Sequence, residues 1–327
     1  MPVTTTAPTD DFVAQADSYR RELLAHCYRM LGSLQDAEDL VQETYLKAWR
    51  SYAGFEGRSS LRTWLYKIAT TTCLTALEGR KRRPLPSGLG APADEVPREK
   101  VVESGEVPWL QPIPDGMIAD QATDPASIVG LRESTRLAFI AALQHLPARQ
   151  RAVLILRDVL KWRAAEVADA LHISTAAVNS VLQRARAQLA DAAPSEDDRP
   201  QPLTAEQEQL LERYVAAFEA KDVDAIVGLF TAEAVWEMPP FELWVRGGEL
   251  IAQLTARQCP AGPDGLRLRP TRANGQLAYG VYSRCDDDVF RPFQLHVLEL
   301  DDERVRHVVC FFDVDFARFG LPESVSS

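Results

Sequence analysis

Cysteine and histidine are both scarce in this chain, with five of each among 327 residues. No Cys-x-x-Cys pair occurs and no histidine stands at metal-ligand spacing from a cysteine. This excludes a zinc module or a disulfide framework, so Cys27, Cys73, Cys259, Cys285 and Cys310 read as plain thiols and no metal or cofactor is expected. Long apolar runs are missing as well. No stretch approaches the ~18 residues that a membrane span requires. The first twenty residues are polar and acidic without the apolar core of a secretory signal, so no membrane association and a cytoplasmic location are expected. What is present, a 46% hydrophobic content, suits a folded protein of two or three domains.

Positive charge is in deficit overall, 36 Lys and Arg against 47 Asp and Glu, but the deficit is uneven. Residues 147–190 carry seven basic and three acidic side chains, whereas residues 201–327 carry twelve against twenty-one. A local basic segment is the footprint of a nucleic-acid contact. The acidic remainder repels free DNA, which favours binding through a protein partner.

Helical periodicity dominates residues 11–83. Ala37, Leu40, Val41, Thr44 and Ala48 form one apolar stripe, with Asp36 expected as its N-cap. After the loop 53–60, a second stripe of Leu61, Leu65, Ile68, Ala69, Thr72 and Ala76 runs toward Glu78-Gly79. Arg80-Lys81-Arg82-Arg83 and Pro84 then end the helix. Residues 84–127 are rich in proline and acid and read as a linker. Within it Trp109, Leu110 and Pro112 form an apolar island expected to dock onto something. Helices return over 128–190. Beyond 201, helices at about 204–219 and 222–230 precede alternating runs at 266–268, 278–282, 294–298 and 305–312, an α+β pattern.

Three constellations carry the chemistry. Glu166 to Leu171, a corner at His172-Ile173 and a helix capped by Ser174 form a helix-turn-helix. Its second helix leaves Thr175, Ala176, Asn179, Ser180, Gln183, Arg184 and Arg186 outward. Asn and Gln match adenine edges, and Arg matches guanine edges or phosphates. Upstream, Asp39, Gln42, Glu43 and Leu46 lie opposite the first stripe, a face suited to a basic protein surface. Between them, aromatic Tyr52, Phe55, Trp64 and Tyr66 interleave with Arg58, Arg62 and Lys67. Stacking on unpaired bases and gripping a strand backbone needs that mixture.

The series Asp36-Ala37-Glu38-Asp39-Leu40-Val41-Gln42-Glu43, Ser59-Ser60-Leu61-Arg62-Thr63-Trp64-Leu65 and Leu146-Pro147-Ala148-Arg149-Gln150-Arg151 resembles regions 2 and 4 of extracytoplasmic-function sigma factors of the sigma-70 family. The resemblance implies core RNA polymerase (β′ clamp and β flap) and promoter DNA as partners. Asp39, Gln42, Glu43 and Leu46 would grip the β′ clamp. Phe55, Arg58, Ser60, Arg62, Trp64, Lys67, Arg80 and Arg82 would open and read the minus-ten element, and the 174–186 helix the minus-thirty-five element.

Tyr214-Val215-Ala216-Ala217-Phe218, Val235-Trp236-Glu237-Met238-Pro239-Pro240 and Trp244-Val245-Arg246-Gly247 are similar to a SnoaL-like domain of the NTF2 superfold. The implied architecture is two all-α domains followed by an α+β cone-shaped domain. Its parts are region 2 over 12–83, a linker over 84–127, region 4 over 128–192 and the SnoaL-like domain over 201–327. That last domain would modulate the sigma activity in cis. Trp236, Met238, Phe241, Trp244 and Phe312 would line a pocket for a small apolar ligand. Glu237, His296, His307, Asp313 and Asp315 are the candidate acids and bases there, but no convergent pair is evident and no catalysis is expected. Two alternatives stay open: a stand-alone ligand-sensing regulator, and a cyclase- or isomerase-like enzyme tethered to a DNA-binding module.

Overall fold

The computed structural model describes residues 8–57, 59–118, 133–190 and 203–326. They fall into two compact units, and the chain passes between them more than once. Unit 1 takes residues up to Arg82 and from Met117 to Asp198; unit 2 takes Arg83–Gly116 and everything from Arg199.

Unit 1 is helical. Helices α1 (Pro8–Asp17), α2 (Arg20–Leu31), α3 (Leu34–Ser51) and α4 (Leu61–Ala76) form its first bundle. The N-cap of α3 is Ser33 rather than Asp36: Ser33 is extended and its Oγ accepts the Asp36 N–H at 3.2 Å. Asp36 sits inside the first turn instead, where a carboxylate complements the helix dipole and pairs with Arg80 at 3.1 Å. The expected stripe of α3 is buried as read, while the buried face of α4 is rotated to include Tyr66, Thr70 and Cys73. That rotation follows from packing: α4 faces α2 and α3 on one side and later helices on another.

Helices α5 (Leu137–Gln144), α6 (Ala148–Leu154, prolonged by a π-helical turn, Ile155–Val159), α7 (Ala164–Leu171) and α8 (Thr175–Leu189) complete the unit. His172 adopts φ 53°, which turns the corner, and Ser174 Oγ caps α8 by accepting the Ala177 N–H at 3.1 Å. The two bundles meet through a pair of buried arginines. Arg151 of α6 donates to Met30 O at the end of α2 and to Gln144 Oε1 at 2.8 Å. Arg29 of α2 reaches the other way, to Ser134 O at 3.2 Å and Ser134 Oγ at 2.7 Å. Burial lowers both guanidinium pKa values to about 10. Gly32, in the left-handed region at φ 68°, lies so close that a Cβ would meet Gln144 at 3.2 Å. Only glycine suits both constraints.

Unit 2 is built on a six-stranded sheet, β1 (Phe230–Glu237), β2 (Trp244–Arg246), β3 (Leu266–Ala273), β4 (Gln276–Arg284), β5 (Phe290–Asp301) and β6 (Arg304–Phe311), in the order β2-β1-β6-β5-β4-β3. Only the β1–β6 pair is parallel. Helices α9 (Ala205–Ala220), α10 (Val223–Leu229) and α11 (Gly248–Gln258) supply apolar side chains to a core shared with the sheet. Tyr214, Phe218, Ile226 and Ile251 meet Trp236, Val245 and Val308 there. The pairing β1–β2 and helix α11 were not legible in the sequence pattern. The C-terminal chain packs back on the sheet, with Tyr282 Oη donating to Pro322 O at 2.8 Å and Thr271 Oγ1 to Phe319 O at 2.7 Å. Residues expected to be a linker are an integral layer of this unit: Val96 belongs to its core cluster, and Leu110 and Ile113 are fully buried. Among the described residues, no helix is long and apolar enough to cross a membrane.

Candidate functional site

Helix α3 buries Ala37, Leu40, Val41, Thr44 and Ala48, and the 3.6-residue period therefore turns Asp39, Gln42, Glu43 and Leu46 outward. All four are exposed. The ridge continues through a residue that pattern reading missed, Trp49, which is 51% exposed beside Leu46 at 55%. Leu46 and Trp49 thus lie one helical turn apart on a surface rimmed by Asp39 and Glu43, an apolar centre with a charged rim. Glu43 is held by Lys47 at 2.7 Å.

The second surface spans the 52–67 segment. Tyr52, Phe55 and Trp64 form an aromatic cluster, with Phe55 and Trp64 ring centres 4.9 Å apart and both half-buried. Ser60 is the N-cap of α4, its Oγ accepting the Thr63 N–H at 3.1 Å. Arg58 lies outside the described residues. The remaining cations are engaged within unit 1. Arg62 pairs with Glu22 at 2.6 Å and lies over the Tyr66 ring, and Arg82 meets His145 Nδ1 at 2.8 Å. Lys67 pairs with Asp169 of α7 at 2.5 Å. Trp162 packs on Tyr66 at 6.1 Å beside this bridge, so one flank of the predicted DNA-opening helix faces the helix-turn-helix.

The third surface is α8. Val178, Leu182, Ala185 and Leu189 are buried, and Thr175, Ala176, Asn179, Ser180, Gln183, Arg184 and Arg186 are all exposed. None of the first six is engaged in an ion pair among the described residues. Arg186 differs, since its guanidinium makes a two-pronged pair with Asp158 at 2.9 and 2.7 Å.

The candidate pocket of unit 2 is divided by strand register. Trp236 pairs with Val245 and Glu237 with Trp244. Residues directly opposite share a face, so Trp236 and Val245 enter the core while Trp244 and Glu237 occupy the other side. Trp244 accordingly meets the 83–116 segment, with its Nε1 donating to Gly90 O at 3.1 Å and its carbonyl accepting the Ala93 N–H at 2.9 Å. This corrects the five-residue pocket: Trp244 lies away from Trp236. Phe312 contacts Phe241 at 5.2 Å, and Met238 is buried in the core. Trp236 stacks on Phe218 at 5.6 Å and meets the edge of His296 at 5.1 Å. His296 is neutral, its pKa lowered to about 3 by burial, and its Nδ1 bonds Tyr214 Oη at 2.8 Å.

Two candidate acid-base residues do converge, contrary to expectation. Glu237 is fully buried; its Oε1 bonds His307 Nε2 at 2.7 Å and its Oε2 accepts the Ser87 N–H at 2.7 Å. Burial pushes this carboxyl upward, but His307 and the Ser87 amide outweigh burial and hold it below the ordinary carboxylate range. With one oxygen committed to a backbone amide, the carboxylate serves as an anchor for residue 87. Asp315 caps the turn Phe316–Phe319, and Asp313 is exposed. Trp109 is half-buried with its Nε1 on Ser104 O at 3.3 Å, whereas Leu110 and Pro112 are buried.

Three family profiles match the chain in order: Sigma-70 region 2 over residues 16–83, Sigma-70 region 4 over residues 136–189 and a SnoaL-like domain over residues 211–311. The ECF RNA polymerase sigma factor SigG of Mycobacterium tuberculosis (strain ATCC 25618 / H37Rv) is 60% identical over 318 residues, 96% of this chain and 85% of that protein. SigJ of the same strain is 28% identical over 83% of this chain and 80% of its own length. The crystal structure of Mycobacterium tuberculosis SigJ matches with a TM-score of 0.59 at 23% identity, covering 95% of this chain and 99% of that one, a likeness of fold.

Proposed function

The chain belongs to the extracytoplasmic-function RNA polymerase sigma factors, and on that premise we propose how its surfaces divide the work. A sigma factor binds core RNA polymerase and promoter DNA, and the chemistry of transcription belongs to the polymerase. In this reading Asp39, Gln42, Glu43 and Leu46, joined by Trp49, dock on the β′ clamp. Helices α5 to α8 meet the β flap and the minus-thirty-five element, the latter through Thr175, Ala176, Asn179, Ser180, Gln183 and Arg184. Arg186 orients α8 through Asp158 and adds phosphate affinity. Phe55, Arg58, Ser60, Arg62, Trp64, Lys67, Arg80 and Arg82 meet the minus-ten element. The observation that carries the reading is the α3 ridge. A stand-alone DNA binder has no use for half-exposed Leu46 and Trp49 flanked by carboxylates.

Four of the minus-ten cations are held by Glu22, Asp169, Asp36 and His145. Promoter opening would exchange these exposed pairs, each contributing about 0–1 kcal/mol, for phosphates. The SnoaL-like unit acts in cis, and its grip on residues 83–116 is the handle. A small apolar ligand would have to displace the rings that already pack on Trp236, so control through the chain segment is the better supported route. The site of action is the cytoplasm, where the polymerase works.

The test is run-off transcription on a genomic promoter library with purified core polymerase, comparing the full chain with residues 1–200. Promoter-specific transcripts establish the assignment, and the ratio between the two proteins gives the sign of C-terminal control. No transcript and no binding to core polymerase from either protein would refute it.

A further inference from the structure

Residues 147–190 contain three acids, and each is already paired with a cation. Asp158 holds Arg186 at 2.7 Å, Glu166 holds Arg163 at 3.0 Å and Asp169 holds Lys67 of α4 at 2.5 Å. Of the other cations, Arg151 is buried and Arg157 donates to Trp162 O. Arg149, Lys161 and Arg184 stay exposed, with no ion pair to a described residue. Arg184 already belongs to the reading face of α8. Lys161 is set apart by its backbone, which lies in the left-handed region at φ 58°. A residue with a Cβ enters that region at a cost, and glycine or asparagine is the usual occupant at a helix end. Lys221 adopts a similar φ of 54°, but its Nζ is used at home, on Cys259 O at 3.1 Å and Ala261 O at 2.6 Å. The Lys161 side chain has no such bond to any described residue.

We propose that Lys161 is a phosphate contact that seats the helix-turn-helix on the minus-thirty-five element. The inference rests on the assignment of α8 to that element made above. The turn 160–163 directly follows the π-helical turn, whose Asp158 grips Arg186 on the outward side of α8. It therefore stands at the edge of the reading surface. It is also firmly held: Trp162 is buried, its N–H donates to Leu156 O at 2.9 Å and its carbonyl accepts Arg157. When a helix-turn-helix docks, its first helix crosses the DNA backbone while the second enters the groove. Lys161 stands just ahead of that first helix, α7. Glu166 accepts the Arg163 N–H at 2.7 Å, so a carboxylate already occupies the N-terminus of α7. That leaves the Lys161 ammonium, rather than the helix amides, as the group there that can receive a phosphate. A costly backbone conformation that carries a cation with no partner in its own fold is accounted for by a partner outside it. Phosphate contacts fix register and carry no base information. Lys161 is thus a positioning residue for the bases that Asn179 and its neighbours read.

The experiment measures the affinity of holoenzyme containing the full chain for a promoter selected by run-off transcription. Each phosphate of the minus-thirty-five element is replaced in turn by an uncharged methylphosphonate. The wild type is expected to lose about three- to tenfold at every phosphate it contacts. Lys161→Gly should lose less than about twofold at one or two adjacent phosphates of that set and keep the other losses unchanged. Lys161→Arg retains the charge and should reproduce the wild-type scan. Loss of one contact also flattens the dependence of log affinity on log salt by about 0.9, so the gap between wild type and Lys161→Gly narrows about threefold from about 50 to 200 mM salt. Glycine relieves the left-handed backbone, so Lys161→Gly should melt no lower than wild type, which separates weaker binding from misfolding. Superimposable scans for wild type and Lys161→Gly, or losses reduced evenly at every phosphate, would overturn the proposal. No promoter-specific binding by wild-type holoenzyme would instead remove the sigma reading beneath it.

Discussion

Replacing His307 with alanine should loosen the 83–116 segment near Ser87. Glu237 is fully buried and has two partners, His307 Nε2 and Ser87 N, each at 2.7 Å. Removing one partner of a buried pair costs about 3–5 kcal/mol, because the remaining charge is left without compensation. The His307 side chain is 21% exposed and the Ser87 amide survives, which places the expected cost near the lower end, about 3 kcal/mol. Hydrogen exchange at the Ser87 amide reads this directly, and about 3 kcal/mol corresponds to roughly 150-fold faster opening. Glu237→Gln keeps an acceptor for Ser87 while removing the charge, and costs about 1 kcal/mol. The double variant is therefore expected to be more protected than His307→Ala alone. Because the Glu237 carboxyl sits below its ordinary value of 4.5, its contribution is complete above that pH. It is lost as pH falls through the folded-state value. Wild-type protection at Ser87 should accordingly fall on acidification, and the Gln variant should lose that dependence. If the double variant exchanges as fast as or faster than His307→Ala, the charge argument is wrong.

Asn179→Ala and Arg186→Ala should separate reading from support on α8. The first is expected to relax preference at one base pair of the minus-thirty-five element by about 1–3 kcal/mol in a promoter-mutant binding panel. The second, losing an exposed pair with Asp158 worth at most about 1 kcal/mol, should weaken all promoters equally. Gly280→Ala should destabilise unit 2 in thermal unfolding, since a Cβ there would overlap Leu321 Cδ1 and approach Phe316 to 2.9 Å. An unchanged melting profile would show that the C-terminal chain lifts away without cost.

The helical segments, their order and the outward face of α8 were legible because each is a local property. A 3.6-residue stripe fixes which side of α3 or α8 turns inward whatever it packs against, and Ser174 caps its own helix. The turn at His172 needed only neighbouring residues. Even there, one local signal competed with another: Ser33 and Asp36 are both good caps, and Ser33 prevailed because its backbone is extended while Asp36 is already helical.

Everything that joins distant parts of the chain was decided by the tertiary structure. Periodicity marked Leu61 and Ile68 as core, but packing against two sets of helices turned Tyr66, Thr70 and Cys73 inward. Arg29 and Arg151 carry charge that composition assigns to the surface, yet the backbone carbonyls of Ser134 and Met30, more than a hundred residues away along the chain, receive them in the interior. Trp244 and Trp236 look equivalent as apolar residues, and only the register of β1 against β2 places them on opposite faces. Glu237 and His307 are seventy residues apart and become neighbours because β1 and β6 run parallel. The proline- and acid-rich stretch 84–116 has the composition of a flexible connector. It is ordered because Glu237, Trp244, Gln258 and Asn274 present partners for its backbone, a complementarity that no local pattern encodes.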